Sequence, residues 1–350
     1  MMYGTTPTTL KARCLTLRKL LPPGVKELTS GQAAGRLLIN GKTTTREHFG
    51  FLDGLSNPDV EGVPGDDGPG KPRGGAAKPQ DVGNPDAEGR FRKIPVGEFI
   101  LSYPGEGGEV APMALPHLLT QDATYLVFRK LEQEVPRFHR YLEEQAKSFT
   151  RALPGGLPAG VSAQEFLAAK MMGRWPNGSS LIKYPDKPGN DTGNAFGYAD
   201  DPAGARCPLG AHVRRANPRD SLGFGGKTMS RHRLIRRGIP YGEYLEPGKQ
   251  DGKRRGIIFL AFNSGFDQFE FVQQAWINFG DDFEQGNDTD PIAGSREAGR
   301  LMIPGDEATG RRPFICFDMP RFVQTRGGDY FFVPSLTGLR LLASGRVQVS

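Results

Sequence analysis

Glycine and proline set the first limit on this chain. Its 350 residues include 48 glycines and 29 prolines. Glycine loosens the backbone and proline removes an amide donor, so both interrupt long regular elements. A chain punctuated in this way is expected to form short strands and helices joined by long ordered loops, not a helical bundle. The densest such stretch, Gly54 to Arg92, reads as one long loop.

Periodic segments lie between the breaks. Gly97–Tyr103, Thr124–Arg129, Gly256–Phe262 and Tyr330–Val333 are rich in β-branched and aromatic residues and are expected as strands. Leu131, Val135, Phe138 and Leu142 recur at helical spacing, which predicts an amphipathic helix over 131–149. Ser162-Ala-Gln-Glu165 has the form of a capping box and predicts a helix over about 163–172. Phe266, Phe269, Val272 and Trp276 predict a further helix over about 265–278. Strands alternating with helices across long loops predict an α+β protein with antiparallel sheets.

Charge and cysteine usage remove several function classes. The net charge is +6, but basic and acidic residues alternate along the chain, which describes a mixed solvated surface rather than a nucleic-acid patch. The one dense basic run, Arg231 to Arg237, lacks interleaved aromatics, so nucleic acid is not its expected partner. No apolar stretch approaches the ~20 residues of a membrane span. Met1 to Leu20 has no continuous apolar core and is not expected to be a signal peptide. Cys14, Cys207 and Cys316 form no C-x-x-C pair, which argues against a zinc ribbon and for reduced thiols in the cytoplasm.

Two segments approach a phosphate loop and miss. Gly65-Asp-Asp-Gly-Pro-Gly70-Lys71 is followed by Pro72 where a hydroxyl must hold magnesium. Gly41-Lys42-Thr43 has its preceding glycine, Gly35, one residue too far away. Neither follows a hydrophobic strand, as that fold requires. None of the five histidines, His48, His117, His139, His212 and His232, forms an H-E-x-x-H site.

A set of local motifs carries more information. Gly50-Phe-Leu-Asp53-Gly54 is a GxxDG sequence continuing as Leu-Ser-Asn-Pro. Met172-Gly-Arg-Trp-Pro-Asn-Gly178, Cys207-Pro-Leu-Gly-Ala-His212-Val-Arg-Arg-Ala-Asn-Pro-Arg219 and Ile235-Arg236-Arg-Gly-Ile-Pro-Tyr-Gly242 follow. Gly256-Ile-Ile-Phe-Leu-Ala-Phe262 and Gly327-Gly-Asp-Tyr-Phe-Phe-Val-Pro334 complete the series. In this order the chain resembles the dye-decolourising-type haem peroxidases. One such motif is weak; six in sequence are specific.

The resemblance implies two ferredoxin-like α+β domains around haem b, divided here as residues 1–150 and 151–350. It implies a peroxidase that uses hydrogen peroxide to oxidise dyes, phenols or other small aromatic reductants. His212 is the implied iron ligand, since a neutral imidazole supplies that bond in many haem proteins. A carboxylate beside such a ligand accepts its other ring N–H, and Asp329, in the last motif, is the expected one, unless it is a turn residue beside Gly327-Gly328. Asp53 is the implied acid–base group, moving a proton between the two peroxide oxygens. Arg236 is the implied cation for the charge that develops as the O–O bond opens, with Arg233 and Arg237 as alternatives within the cluster. Ile257 and Phe259 share a strand face and either roof this pocket or belong to the sheet core.

The GxxDG motif begins at residue 50, so the opening strands of the first domain have no counterpart and that domain is expected to be incomplete. The rival reading is a non-catalytic haem-binding or haem-handling protein on the same scaffold. No membrane partner is expected, and homo-oligomerisation is left open.

Overall fold

The computed structural model describes residues 4–25, 33–63, 93–113, 116–151, 153, 157–222, 229–307 and 309–346. The near-miss at Gly65–Lys71 and most of the Gly54–Arg92 loop lie outside them. Two compact units are present, Met1–Ala33 and Ala34–Ser350. The first carries helix α1 (Pro7–Leu20), opened by proline at its start and by the Thr6 hydroxyl, which accepts from the Thr9 amide at 3.1 Å.

The second unit begins with a two-residue pair, β1 (Leu38–Ile39) and β2 (Lys42–Thr43), and a single turn, α2 (His117–Thr120). Strand β3 (Thr124–Gln133) leads into helices α3 (Val135–Arg151), α4 (Ala163–Met172) and α5 (His212–Ala216). Strands β4 (Ile235–Tyr241) and β5 (Gly256–Asn263) precede helix α6 (Phe266–Phe271), which runs on as a π-helical turn over Val272–Ile277. A hairpin of β6 (Gly299–Ile303) and β7 (Phe314–Met319), strand β8 (Val323–Val333) and helix α7 (Leu336–Ala343) complete the unit.

Four strands form one antiparallel sheet in the order β4-β5-β3-β8. With α3 after the first strand and α6 after the third, this is the β-α-β-β-α-β arrangement of a ferredoxin-like unit. Residue 150 falls in the last turn of α3, inside that unit. Among the described residues of 34–123, β1 and β2 are the only strands, so no second four-stranded sheet stands there.

The register decides which side chains meet. Gly238, Phe259, Arg129 and Gly328 form one rung, and Arg236, Ala261, Val127 and Tyr330 the rung two residues along. Residues opposite one another in an antiparallel ladder share a face, so these side chains lie on one side of the sheet. Ile257, opposite Pro240 and Leu131, lies on that side as well.

Helix α3 leaves the sheet and packs against α4, with Phe149 stacked on Phe166 at 5.6 Å. Its buried stripe of Val135, Phe138, Tyr141, Leu142, Ala146 and Phe149 forms the centre of the largest core. Phe138 touches both Phe49 and Phe322, with ring centroids at 4.4 and 5.2 Å. Truncating such a side chain to alanine costs about 3–5 kcal/mol.

Several elements depart from the sequence expectation. Gly97–Tyr103 is not a strand: Val96–Glu98 is a 3-10 turn, and Phe99 and Leu101 are buried without a ladder. The helix expected from 131 starts at Val135, because Leu131 still pairs with Ile257 and Thr325 in β3. The final strand starts at Val323 rather than Tyr330. The basic run was not expected to be a strand, yet β4 is one. It lies at the sheet edge, where Gly238 and Pro240 are tolerated. Among the described residues no helix is long and apolar enough to cross a membrane.

Candidate active site

Three expected residues, His212, Asp53 and Arg236, come from three different kinds of local structure. His212 opens α5, within the long insertion between α3 and β4. Its ring Nδ1 lies 2.9 Å from Asp290 Oδ2. An ionised carboxylate only accepts, so Nδ1 carries the proton and Nε2 is the ring nitrogen left for a ligand. Asp290 belongs to the second insertion, between α6 and β8, and is itself fixed. Its Oδ1 accepts the Ile292 and Ala293 amides at 2.8 and 2.7 Å, and its own amide donates to the Ile277 carbonyl at 2.7 Å.

The pair is electrically tight. Burial pushes the Asp290 carboxyl up, but the charge and hydrogen bond of His212, with Arg215 nearby, hold it below its ordinary value. Burial pushes His212 down, but Asp290 outweighs it and the imidazole is raised; Arg236 works in the opposite direction. The carboxylate expected here, Asp329, is not the partner. It lies on the edge strand β8 opposite Phe128, on the face away from Arg236, and is exposed. Its Oδ1 accepts only a local bond, from the Tyr330 amide at 2.9 Å.

Asp53 stands at the end of a braced turn. Arg46 and Leu52 pair across it, and the Asp53 amide donates to the Thr45 carbonyl at 3.0 Å. Phe49 and Phe51 sink into the main core and anchor it. One carboxylate oxygen, Oδ1, accepts the Gly54 amide at 2.7 Å. The other, Oδ2, points at the sheet: a Cβ on Gly238 would meet it at 2.6 Å, and would meet Ile257 Cγ2 at 3.3 Å. Glycine leaves the carboxylate oxygen its present place, which a Cβ would force it to give up.

Arg236 stands on the same face, two residues before Gly238. It ties the following loop to β4: its amide donates to Asn57 Oδ1 at 3.0 Å and its Nη1 to the Ser56 carbonyl at 2.8 Å. Burial pulls the guanidinium below its ordinary value and the Asp53 charge pulls it back. Strand alternation separates the alternatives. Arg237 is exposed on the other face, and Arg233, before the strand, is buried with Nη2 3.4 Å from the same Ser56 carbonyl. The basic run is therefore not one surface patch.

Ile257 and Phe259 are half-buried on this face, and Phe259 meets Phe269 of α6 at 6.1 Å. Phe259 thus serves as sheet core at one end, while Ile257 flanks Asp53.

A planar group ligated by His212 needs a space beside the ring, and the residues fit that requirement. Protein surrounds His212 closely enough to desolvate it, yet 28% of its side chain stays exposed. Arg236 is also desolvated while keeping accessible surface. The charges of Arg236 and Glu47 both reach His212. The set therefore offers an unprotonated ring nitrogen oriented by a carboxylate, a guanidinium within electrostatic reach of it, and a carboxylate within electrostatic reach of that guanidinium. Sequence reasoning missed Asp290, Gly238 and Glu47. For Asp290, the Asp-Pro step two residues after Asp288 was the only local signal.

Comparison with known proteins bears on the family. Residues 116–290 match the family model "Dyp-type peroxidase, C-terminal". The chain is 31% identical over 331 residues to a dye-decolorizing peroxidase of Mycetinis scorodonius, covering 87% of this chain and 58% of that one. It is 32% identical over 328 residues to a multifunctional dye peroxidase of Amycolatopsis, covering 89% and 64%. The chain thus spans less than two thirds of the length of these relatives. A solved dye-decolorizing peroxidase in complex with 2,6-dimethoxyphenol superposes with a TM-score of 0.71 at 26% identity, covering 95% of this chain and 71% of that one. A family-model match over half the chain, similarity along most of its length and a shared fold lead to one conclusion: the chain belongs to the Dyp-type peroxidase family.

Proposed function

We propose that this protein is a haem peroxidase that uses hydrogen peroxide to oxidise phenols, dyes or similar small aromatic donors, with His212 holding haem b through Nε2. One observation supports this above the others. An acid, Asp53, and a cation, Arg236, meet on one sheet face beside Gly238, where a Cβ would crowd the acid, and Arg236 lies within electrostatic reach of a histidine already oriented by a buried carboxylate.

Haem, when bound, supplies the iron at which the peroxide O–O bond opens. The residues of the chain supply the rest. Asp290 keeps the proton on His212 Nδ1 and so keeps Nε2 unprotonated and aimed. Asp53 Oδ2, not engaged by the Gly54 amide, is the oxygen able to take a proton from one peroxide oxygen and return it to the other. Arg236, pinned through Ser56 and Asn57, presents a fixed positive charge where negative charge develops. Ile257, packed at Gly238, narrows the space to small oxidants. A cytoplasmic setting is supported by three free cysteines, Cys14, Cys207 and Cys316.

The test is reconstitution with haem. A Soret band lost in His212→Ala, with peroxide turnover lost in Arg236→Ala and Asp53→Asn, is the expected result. Haem uptake with no peroxide reaction in the wild type would overturn it in favour of a haem-binding protein.

A further inference from the structure

We propose that Glu47 is the positioning residue for Asp53: its buried carboxylate, accepting three donors inside the turn that precedes Asp53, fixes where that acid stands against Gly238. The inference rests on the reading of Asp53 as the peroxide-side acid–base group.

The turn folds around the Glu47 side chain. The Glu47 amide donates to the Phe51 carbonyl at 2.9 Å, and the Gly50 amide donates to the Glu47 carbonyl at 3.0 Å. Inside this ring of backbone, Glu47 Oε2 accepts the Phe49 amide at 2.9 Å and Oε1 accepts the Phe51 amide at 2.8 Å. Gln133, the last residue of β3, donates its side-chain amide to Oε2 at 2.6 Å. Outside the turn, Arg46 Nη1 donates to the Gly50 and Pro176 carbonyls at 2.5 and 2.7 Å. Leu52 then pairs with Pro176 through a 3.0 Å amide bond, and Asp53 follows. One side chain therefore ties the turn to itself and to the sheet whose far edge carries Gly238.

The chemistry calls for a carboxylate. Two backbone amides converge on the two oxygens of one side chain, and both need acceptors. A glutamine has the same shape but only one oxygen, so its NH₂ would face a backbone N–H and leave a buried donor unmatched. An arrangement of this kind is kept at a cost. Burial pushes Glu47 up to about 7, against the pull of the Phe49, Gln133 and Phe51 donors and with Asp53 adding to the rise, so the ionised form that accepts all three donors is the one present above that pH. Phe49 and Phe51 anchor the turn in the core; Glu47 determines its internal geometry, and the Asp53 carboxylate is the group that reads that geometry.

The experiment compares Glu47→Gln, Gln133→Leu and Asp53→Asn with the wild type. In the haem-loaded proteins at pH 8, where Glu47 is ionised, the second-order rate with peroxide is measured by stopped flow, together with the KM for peroxide and for a phenol. In the apoproteins amide exchange is followed at Leu52, Asp53 and Gly54. Glu47→Gln is expected to slow the peroxide step about tenfold to a hundredfold, because small displacements of a reacting group have effects of that size. It should raise KM for peroxide without changing KM for the phenol, and speed exchange at Asp53. If Asp53→Asn slows the peroxide step and Glu47→Gln changes neither rate nor exchange, the Glu47 proposal fails while the reading of Asp53 stands. If Asp53→Asn has no effect on that step, the reading of Asp53 fails and the Glu47 proposal falls with it. Should Glu47→Gln not fold, Gln133→Leu decides: it keeps both turn amides satisfied and removes only the tether. A slower peroxide step with faster Asp53 exchange supports the proposal, and no change in either overturns it.

Discussion

The two sides of the candidate site are held in different ways. On the His212 side, a hydrogen bond from the imidazole to a buried carboxylate joins two insertions that are far apart in sequence, and the carboxylate is locked by two further amides. On the Asp53 side, a short turn and an edge strand meet through backbone bonds and one glycine, and the Asp53 carboxylate keeps one oxygen unengaged by the turn. The contrast fits the roles proposed for each side. A ligand must not move, so its partner is buried and fully bonded. A proton carrier must exchange its proton, so it is aimed but left accessible.

The largest expected effect therefore falls on the rigid side. Asp290→Ala removes one partner of a buried pair and leaves the Ile292 and Ala293 amides without their acceptor. Leaving buried donors unmatched costs about 1–3 kcal/mol each. Denaturant unfolding of the apoprotein should show a loss of that order, and haem should be released more readily. Asp329→Ala is the control, expected within about 0.5 kcal/mol of wild type because that residue is exposed. Equal effects of the two substitutions would show that Asp290 has no special role.

On the other side the expected loss is in rate, not stability. Arg236→Ala should slow the reaction with peroxide about 10²–10³-fold, the usual effect of removing one fixed donor from a site where charge develops. Arg237→Ala, on the opposite face, should leave that rate within about twofold of wild type, since surface changes away from the site are small. Stopped-flow mixing with peroxide distinguishes the two. A larger loss in Arg237→Ala would mean that the face containing Gly238 is not the reactive one.

The sequence made some of this contrast legible. Asp53, His212 and Arg236 lie in local motifs, so each was visible without a fold. Asp290 was not, because its pairing spans two insertions and neither insertion has periodicity. Asp329 was chosen for its motif, but strand alternation turns it outward, and the register needed to know that is set by β3 rather than by β8 itself. Among the elements, β5 and α4 were readable because strand chemistry or a capping serine marked them; the Ser162 hydroxyl does accept the Glu165 amide at 3.1 Å. Strand β4 was hidden because an edge strand tolerates the glycine and proline that ordinarily argue against one. The start of α3 was misplaced because Leu131 fits the helical spacing of Val135 and Phe138 while belonging to the strand.

A smaller effect is expected at the join between turn and strand. Gly238→Ala puts a Cβ 2.6 Å from Asp53 Oδ2, a contact that the carboxylate relieves by turning away. Strand β4 keeps its pairing with β5, so unfolding should change by no more than about 1 kcal/mol. The peroxide step should slow about tenfold, as for other small displacements of a reacting group. Unchanged kinetics would show that Asp53 does not need its place against the sheet.

The smallest effect tests the turn by pH, and two adjacent residues oppose each other there. Burial raises Glu47 from 4.5 to about 7, so the folded state holds a proton that the unfolded chain has released. Its contribution to stability is complete below 4.5 and is lost as pH rises through 7. Burial lowers His48 from 6.5 to about 4, against the bond its ring makes to the Tyr241 carbonyl and with Arg255 adding to the fall. Its contribution is present above 6.5 and is lost as pH falls through 4. Between 4.5 and 6.5 the two slopes have opposite sign and cancel. Removing either residue exposes the other. Relative to wild type, Glu47→Gln apoprotein should gain stability as pH rises through this window, and His48→Gln apoprotein should lose it, each by about 1 kcal/mol per pH unit. Thermal unfolding from pH 4 to 8 measures both. Parallel curves for the three proteins would mean that the turn does not bury these groups as a pair, and the rigid base under Asp53 would need another source.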